Sequence, residues 1–480
     1  MLNLILGKTP FVKTEYVRQL VAERAKNGER CIIIVPEQFS YETEKSMLDL
    51  VGAQNMLFVD VLSMTRLAQL ILSEHADPEE KPEADDGVKM MTMSLALESL
   101  GDKHQIYRKY PARPQLIAEL VSFATELKQW TVSVDSLDEF SKNAKASSLK
   151  SKLDELVMIL SLYNTMLEKS YYNTDDKLTR LSSVLSECRY FEDKIVAIDG
   201  FTRFTKQEYA VVDKILAQSP QTYITFDSDG GKDDYSLFAN NNRQVELLKS
   251  LANKSSVKIA PIKYVEADFD DNDVFKSLSD GAFSPDFIVS DVPCDGKIKI
   301  VSAPNKADEC EFVAMSIKRL MREKNIRCRD IAVLQRSEGS YDKELSSAFK
   351  RYGVPFYEDA RQPVANEPLA VYLTSLLEIV CNGLTTDVLM RHLKTGLSDL
   401  TADEISKIEN YAFVWRINST QWREDFTENP SGFGVEFTNF DEDVLNSLNA
   451  VRKKAVAPIL AFKNDFSQAE NEKKTEVVYD

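Results

Sequence analysis

Histidine is nearly missing from this 480-residue chain, which has three. Its six cysteines, Cys31, Cys188, Cys294, Cys310, Cys328 and Cys381, are widely scattered and form no C-x-x-C pair. Metal centres need clustered thiolate or imidazole ligands, so no metal is assigned, and the apolar surroundings of several cysteines predict buried thiols rather than disulfides. No apolar run reaches the roughly 18 to 20 residues that span a bilayer, and no signal-peptide pattern opens the chain. A cytoplasmic protein with no membrane association is expected. Basic residues are also short, with 59 Lys and Arg against 76 Asp and Glu and a net charge of −17. This argues against indiscriminate coating of nucleic acid, which needs a broad basic face, but leaves room for a local basic channel.

A composition of 43% hydrophobic and 28% charged residues is that of a soluble globular protein, and the length predicts two to four domains. Leu2, Leu4, Ile5 and Leu6 read as a strand, Gly7 opens a loop, and Lys13-Thr14 begin a stretch in which Val17, Leu20 and Val21 recur at helical spacing. Gly7, Lys13 and Thr14 meet the phosphate-loop pattern G-x-x-x-x-G-K-[ST], but Val12 replaces its second glycine and Pro10 removes a backbone donor. The residues alone leave two readings, a degenerate phosphate loop or an ordinary strand-to-helix turn.

A continuous apolar run at 31–35 predicts a buried parallel strand, with Pro36-Glu37-Gln38 at its carboxyl end, where open α/β sheets bind ligands. The next strand, at 57–61, leads through Ser63-Met64-Thr65-Arg66 into a helix; Arg66 reads either as a phosphate contact or as a solvated charge. Residues 75–86 form an acidic loop, and from 90 to 187 the chain reads as helical throughout. Within it run two apolar stripes, Leu116/Leu120/Phe123/Ala124/Leu127 and Leu153/Leu156/Leu160/Tyr163/Leu167. The sheet resumes at 194–199 with a strand ending in Asp199, where a nucleotide hydrolase would add a glutamate and this chain has Gly200. Phe201-Thr202-Arg203-Phe204-Thr205 follow, two aromatics that either stack on unpaired bases or turn inward as core, and then a strand at 222–226. The expected domains are therefore a sheet domain at 1–89 and 190–265, a helical insertion at 90–189, and a linker at 266–296. After these come a second α/β unit at 297–367, with strands at 297–301, 331–334 and 354–357, and a helical region at 368–480.

The ordered set resembles superfamily-one DNA helicases, with RecA-like α/β parallel-sheet domains carrying helical insertions. More narrowly it is similar to the N-terminal part of the B subunit of bacterial ATP-dependent helicase/deoxyribonucleases, the AddB type. The matching stretches are Val35-Pro36-Glu37-Gln38, Thr65-Arg66-Leu67-Ala68, Ile198-Asp199-Gly200-Phe201-Thr202-Arg203-Phe204-Thr205, Asp330-Ile331-Ala332-Val333-Leu334-Gln335-Arg336, Gly353-Val354-Pro355-Phe356-Tyr357-Glu358-Asp359 and Glu409-Asn410-Tyr411.

The resemblance implies a role in double-strand break repair as a heterodimer with an A subunit (AddA type) that carries the motor and a nuclease. It also implies single-stranded DNA binding and recognition of the recombination hotspot Chi. The B subunit's own nuclease and iron–sulfur cysteines belong to a C-terminal half that this chain does not contain. By resemblance, Gln38, Arg66 and Phe204 face single-stranded DNA, with Ser40, Thr65, Phe201 and Thr205 as weaker neighbours. Gly7, Lys13, Thr14 and Asp199 are the remnant of a site for ATP and Mg²⁺, whose binding Val12 puts in doubt. No catalytic residue is assigned. The competing expectations are an active ATP-dependent translocase and a protein–protein scaffold with vestigial DNA loops.

Overall fold

The computed structural model describes residues 1–75, 81–101, 106–107, 113–231, 236–268, 273–281, 291–294, 296–337, 339–358 and 364–469. The chain divides into two compact units, Met1–Ile300 and Val301–Asp480. The 359–363 and 470–480 parts of the expected regions lie outside the described residues, as do residues 76–80 of the expected acidic loop at 75–86.

In the first unit, β1 (Leu2–Gly7), α1 (Pro10–Lys26), β2 (Arg30–Ile34), α2 (Ser40–Asn55), β3 (Val59–Leu62) and α3 (Met64–His75) alternate; the three strands, α1 and α3 follow the expected pattern with shifts of a few residues at the ends, and α2 fills the stretch between the second and third strands. The helical insertion follows: β4 (Glu83–Ala84), α4 (Asp86–Leu100), α5 (Pro114–Gln129), α6 (Val134–Asn143), α7 (Ser147–Ser170), β5 (Tyr172–Asn173) and α8 (Lys177–Glu187). The sheet then resumes through β6 (Lys194–Ile198), α9 (Lys206–Gln218), β7 (Thr222–Asp227), α10 (Ala239–Lys254) and β8 (Lys263–Tyr264), with α11 (Val274–Gly281) beyond it.

Six parallel strands form one sheet in the order β3-β2-β6-β7-β1-β8. Continuous apolar runs suit this sheet because both of its faces are covered. Cys31, Ile33 and Val35 pack with Val17 and Val21 of α1 and Met47 of α2. Ile32 and Ile34 pack on the other face with Leu67, Leu181, Val211 and Leu248, from α3, α8, α9 and α10. This is an α/β RecA-like arrangement with a helical insertion. Two details differ from expectation. Residues 90–187 are interrupted by β5, which pairs in parallel with β4 from within the expected acidic loop at 75–86, and α8 inserts Leu181 and Leu185 into the sheet core rather than the insertion's. The insertion has its own core around Met93, Leu120, Leu156, Leu160 and Tyr163. It is tied down by a largely buried ion pair, Lys89 Nζ to Asp175 Oδ1 at 2.7 Å.

The second unit contains α12 (Lys306–Lys324) and α13 (Asp342–Tyr352), and then α14 (Pro368–Asn382), α15 (Thr386–Leu393), α16 (Ala402–Trp415) and α17 (Asn439–Gln468). None of the three strands expected at 297–301, 331–334 and 354–357 forms. A strand exists only as part of a pair, and among the described residues these segments have no hydrogen-bonded strand beside them. Several of their apolar side chains are accordingly left in the open, Ile300 at 97%, Leu334 at 94% and Tyr357 at 88% exposure, although Val354 packs into a small core with Phe349. Within the expected linker, residues 274–281 form α11 instead of coil.

The α14–α17 core holds a buried histidine. His392 stacks on Tyr372 with ring centroids 4.1 Å apart, and its Nδ1 lies 3.1 Å from Ser375 Oγ and 3.2 Å from the Tyr372 carbonyl. Burial holds its pKa below 6.5, opposed in part by the Tyr372 carbonyl. As pH falls through 6.5 the unfolded chain takes up this proton before the folded one, so stability is full above 6.5 and declines below it. Thermal unfolding at pH 7.5 and 5.5 should show a drop for this unit on acidification that is smaller in His392→Gln.

Candidate functional site

All six strands are parallel, so the loops after β1, β2, β3, β6 and β7 emerge at the same, carboxyl edge of the sheet. The sequence-predicted residues gather there around a half-open cleft and an adjoining exposed surface.

The pocket is a cleft of about 300 Å³ whose lining includes Lys13, Thr14, Phe39, Asp199, Phe201 and Asp227. Lys13, Thr14 and Asp199 are therefore brought together as expected. The expected loop is not formed. Gly7 ends β1 and helix α1 already starts at Pro10, so only Lys8 and Thr9 remain between them. Proline suits the first helical position because no amide hydrogen is needed there. Val12 is consequently a first-turn helical residue, and the five-residue run whose amides would wrap a phosphate is reduced to two. Gly7 is required by crowding: a Cβ there would lie 2.0 Å from the Val265 carbonyl oxygen.

Lys13 is 2% exposed and fully engaged. Its ammonium donates to the Gly7 and Thr9 carbonyls, each at 2.8 Å, and lies 2.9 Å from Asp227 Oδ1. Asp199 is buried and accepts a hydrogen bond from Thr225 Oγ1. Gly200 has φ of +79°, and a Cβ there would touch Pro36 Cδ at 3.4 Å. A glutamate at this position would be strained, so the absence of a water-positioning carboxylate is built into the backbone. The residues present do not fit a bound Mg-nucleotide.

The open surface is formed by the loops after β2, β3 and β6, which belong to adjacent strands. The Gly200 turn packs on Pro36 and Phe39, and Arg66 Nε lies 3.6 Å from Glu37 Oε1, so the three loops form one continuous patch. Ser63 is buried and its Oγ accepts from the Arg66 amide at 3.2 Å, fixing the start of α3 and the position of Thr65 and Arg66. Gln38, Thr65 and Arg66 are exposed and Phe201 is half-buried.

Three expected DNA-facing residues are placed otherwise. Phe204 is 1% exposed, with its ring edge-on to Tyr209 at 5.4 Å and to Phe226 at 5.8 Å. It turned inward because α9 starts directly after it. Thr205 is the N-cap of α9, its Oγ1 accepting from the Glu208 amide at 3.2 Å while Glu208 returns a carboxylate to the Thr205 amide at 2.7 Å. Ser40 is 3% exposed in the first turn of α2. None of the three presents its side chain to a strand crossing this edge.

The family described as "ADDB, N-terminal" matches residues 4–279, more than half of the chain. The chain belongs to the ADDB family. A "UvrD-like helicase C-terminal domain" matches residues 271–472. The chain is 28% identical over its whole length to the B subunit of an ATP-dependent helicase/deoxyribonuclease from Caldanaerobacter subterraneus, and covers 42% of that protein. It is 28% identical over 96% of its length to the Clostridium perfringens protein of the same name, covering 41% of it. For Clostridium novyi the identity is 28% over 95% of the chain and 39% of the relative. The chain thus spans about two fifths of the length of these relatives.

Sequence reading missed Asp227, Glu266 and Phe39. Asp227 had a signal, since it ends β7 just as Asp199 follows β6. Phe39, 42% exposed beside Gln38, is a better-placed aromatic than Phe204. Glu266 had none: its carboxylate accepts from the Lys8 amide, 258 residues away. Among the described residues no helix is long and apolar enough to cross a membrane, and no group of three metal-ligating side chains occurs. Burial pushes the Cys31 thiol up to about 12; Cys310 is buried too, whereas Cys294 and Cys381 are exposed.

Proposed function

We propose that this chain is the non-motor, helicase-like part of a helicase–nuclease B subunit acting in DNA double-strand break repair. In this reading it pairs with an A subunit that supplies the motor, binds single-stranded DNA along the carboxyl edge of its sheet, and contributes to hotspot recognition. The observation that carries it is the continuous patch of exposed Gln38, Phe39, Thr65 and Arg66 with half-buried Phe201, beside a pocket whose phosphate-binding loop has been absorbed into a helix. Gln and Arg can hydrogen-bond base edges or phosphates, and an aromatic can stack on an unpaired base. ATP turnover and nuclease chemistry are not proposed for these 480 residues.

The test is fluorescence anisotropy with single-stranded oligonucleotides of varied sequence at several salt concentrations. Sequence-dependent binding with a shallow salt slope is expected. Gln38→Ala and Arg66→Ala should each weaken it about 5- to 10-fold, the loss of one or two hydrogen bonds. A scaffold with vestigial loops is the second reading, favoured by the pairing of Arg66 with Glu37. Unchanged binding, or unchanged DNA processing by the reconstituted heterodimer, in both variants would select it.

A further inference from the structure

The turn after β1 has lost more than its length. Two of its donors to an anion, the Lys8 amide and the Lys13 ammonium, are occupied by carboxylates of this chain. The Lys8 N–H faces both oxygens of Glu266, at 3.1 and 3.2 Å. Lys13 has three hydrogens and three acceptors, Asp227 Oδ1, Gly7 O and Thr9 O.

Glu266 is carried there by backbone register rather than by a long side chain finding a charge. β8 runs parallel to β1 with Ile5 opposite Lys263 and Leu6 opposite Tyr264. The Val265 amide then donates to the Leu6 carbonyl at 2.8 Å, and the Val265 carbonyl fills the space that any side chain at Gly7 would need. The next residue can only lie across the turn. Asp227 is fixed in the same way from the other side, since β7 pairs with β1 and sets Asp227 opposite Gly7.

We infer that Glu266 and Asp227 are resident counter-anions that set this pocket against phosphate. They supply, from within the fold, the negative charge that a nucleotide would otherwise bring to the turn. A phosphoryl group approaching the turn meets Asp227 in the cleft lining and Glu266 on the Lys8 amide beside it, so polyphosphate is opposed by charge as well as by loop length. The inference rests on the reading of the chain as silent toward nucleotide, and it makes no use of DNA binding.

The test is isothermal titration with sodium tripolyphosphate at low salt. It compares the parent chain with Glu266→Gln, with Glu266→Gln/Asp227→Asn, and with a charge-matched control, Glu192→Gln/Asp193→Asn. The control residues are 61% and 60% exposed and precede β6, at the opposite edge of the sheet. Removing like charges from the turn should tighten tripolyphosphate binding about 10-fold in the double variant and about 3-fold in Glu266→Gln, with the control unchanged. No gain in folded Glu266→Gln, or an equal gain in the control, would overturn the inference. Glu266 is exposed, so its variant stays informative if loss of Asp227 unfolds the sheet. ATP hydrolysis by the parent chain would instead sink the reading of a silent module, and DNA-stimulated phosphate release measured on the same samples keeps the two failures apart.

Discussion

Phe204→Ala should cost the first unit about 3–5 kcal/mol of unfolding free energy, the range for emptying a buried aromatic site. The ring is sealed among Phe201, Tyr209 and Phe226, and the loop ahead of it is pinned by the Phe204 amide donating to Gln244 Oε1 at 3.4 Å. Gln244 also accepts from the Tyr209 hydroxyl at 2.7 Å, so α9, α10 and the loop meet around this one side chain. Hydrogen exchange of peptides spanning β6 and β7 in a urea series would read the loss. The affinity of the folded fraction for single-stranded DNA should be unchanged. A residue that stacked on a base would behave the opposite way, with affinity lost and exchange protection intact, and that outcome would refute the core assignment.

Lys13→Ala should also act on stability rather than on turnover. In a nucleotide hydrolase the lysine of the phosphate loop waits for its ligand, and its removal abolishes hydrolysis while leaving the fold largely alone. Here the ammonium is buried and bonded to three groups of its own chain. Removing one partner of a buried ion pair costs about 3–5 kcal/mol, and because Asp227 is 33% exposed and can take up water the expected loss is about 2–3 kcal/mol. The same urea series measures it. Phosphate release, with or without DNA, should stay at background in parent and variant alike. Turnover that disappeared with Lys13 would mean that the lysine leaves its partners to meet nucleotide.

Much of the fold was legible because local pattern and tertiary demand coincided. The runs at 31–35 and 194–198 could only suit strands covered on both faces, and the stripes in the insertion could only suit helices packed on helices. The convergence of Lys13, Thr14 and Asp199 followed from topology alone, because parallel strands deliver their carboxyl-end loops to one edge. The same logic brought Gln38, Arg66 and Phe201 into one patch.

What the chain by itself did not determine was which way a side chain turns and what sits beside it. Phe201 and Phe204 are the same residue type in the same loop. The start of α9 at Lys206, fixed by the Thr205–Glu208 capping box, buries one and leaves the other partly open. The phosphate-loop pattern at Gly7, Lys13 and Thr14 gave no sign that helix would claim Val12 or that Glu266 would reach the turn from so far along the chain. The segments at 297–301, 331–334 and 354–357 are strand-like in sequence and are not strands. Composition sets what a segment can pair with. Pairing needs hydrogen-bond partners that only the assembled sheet supplies.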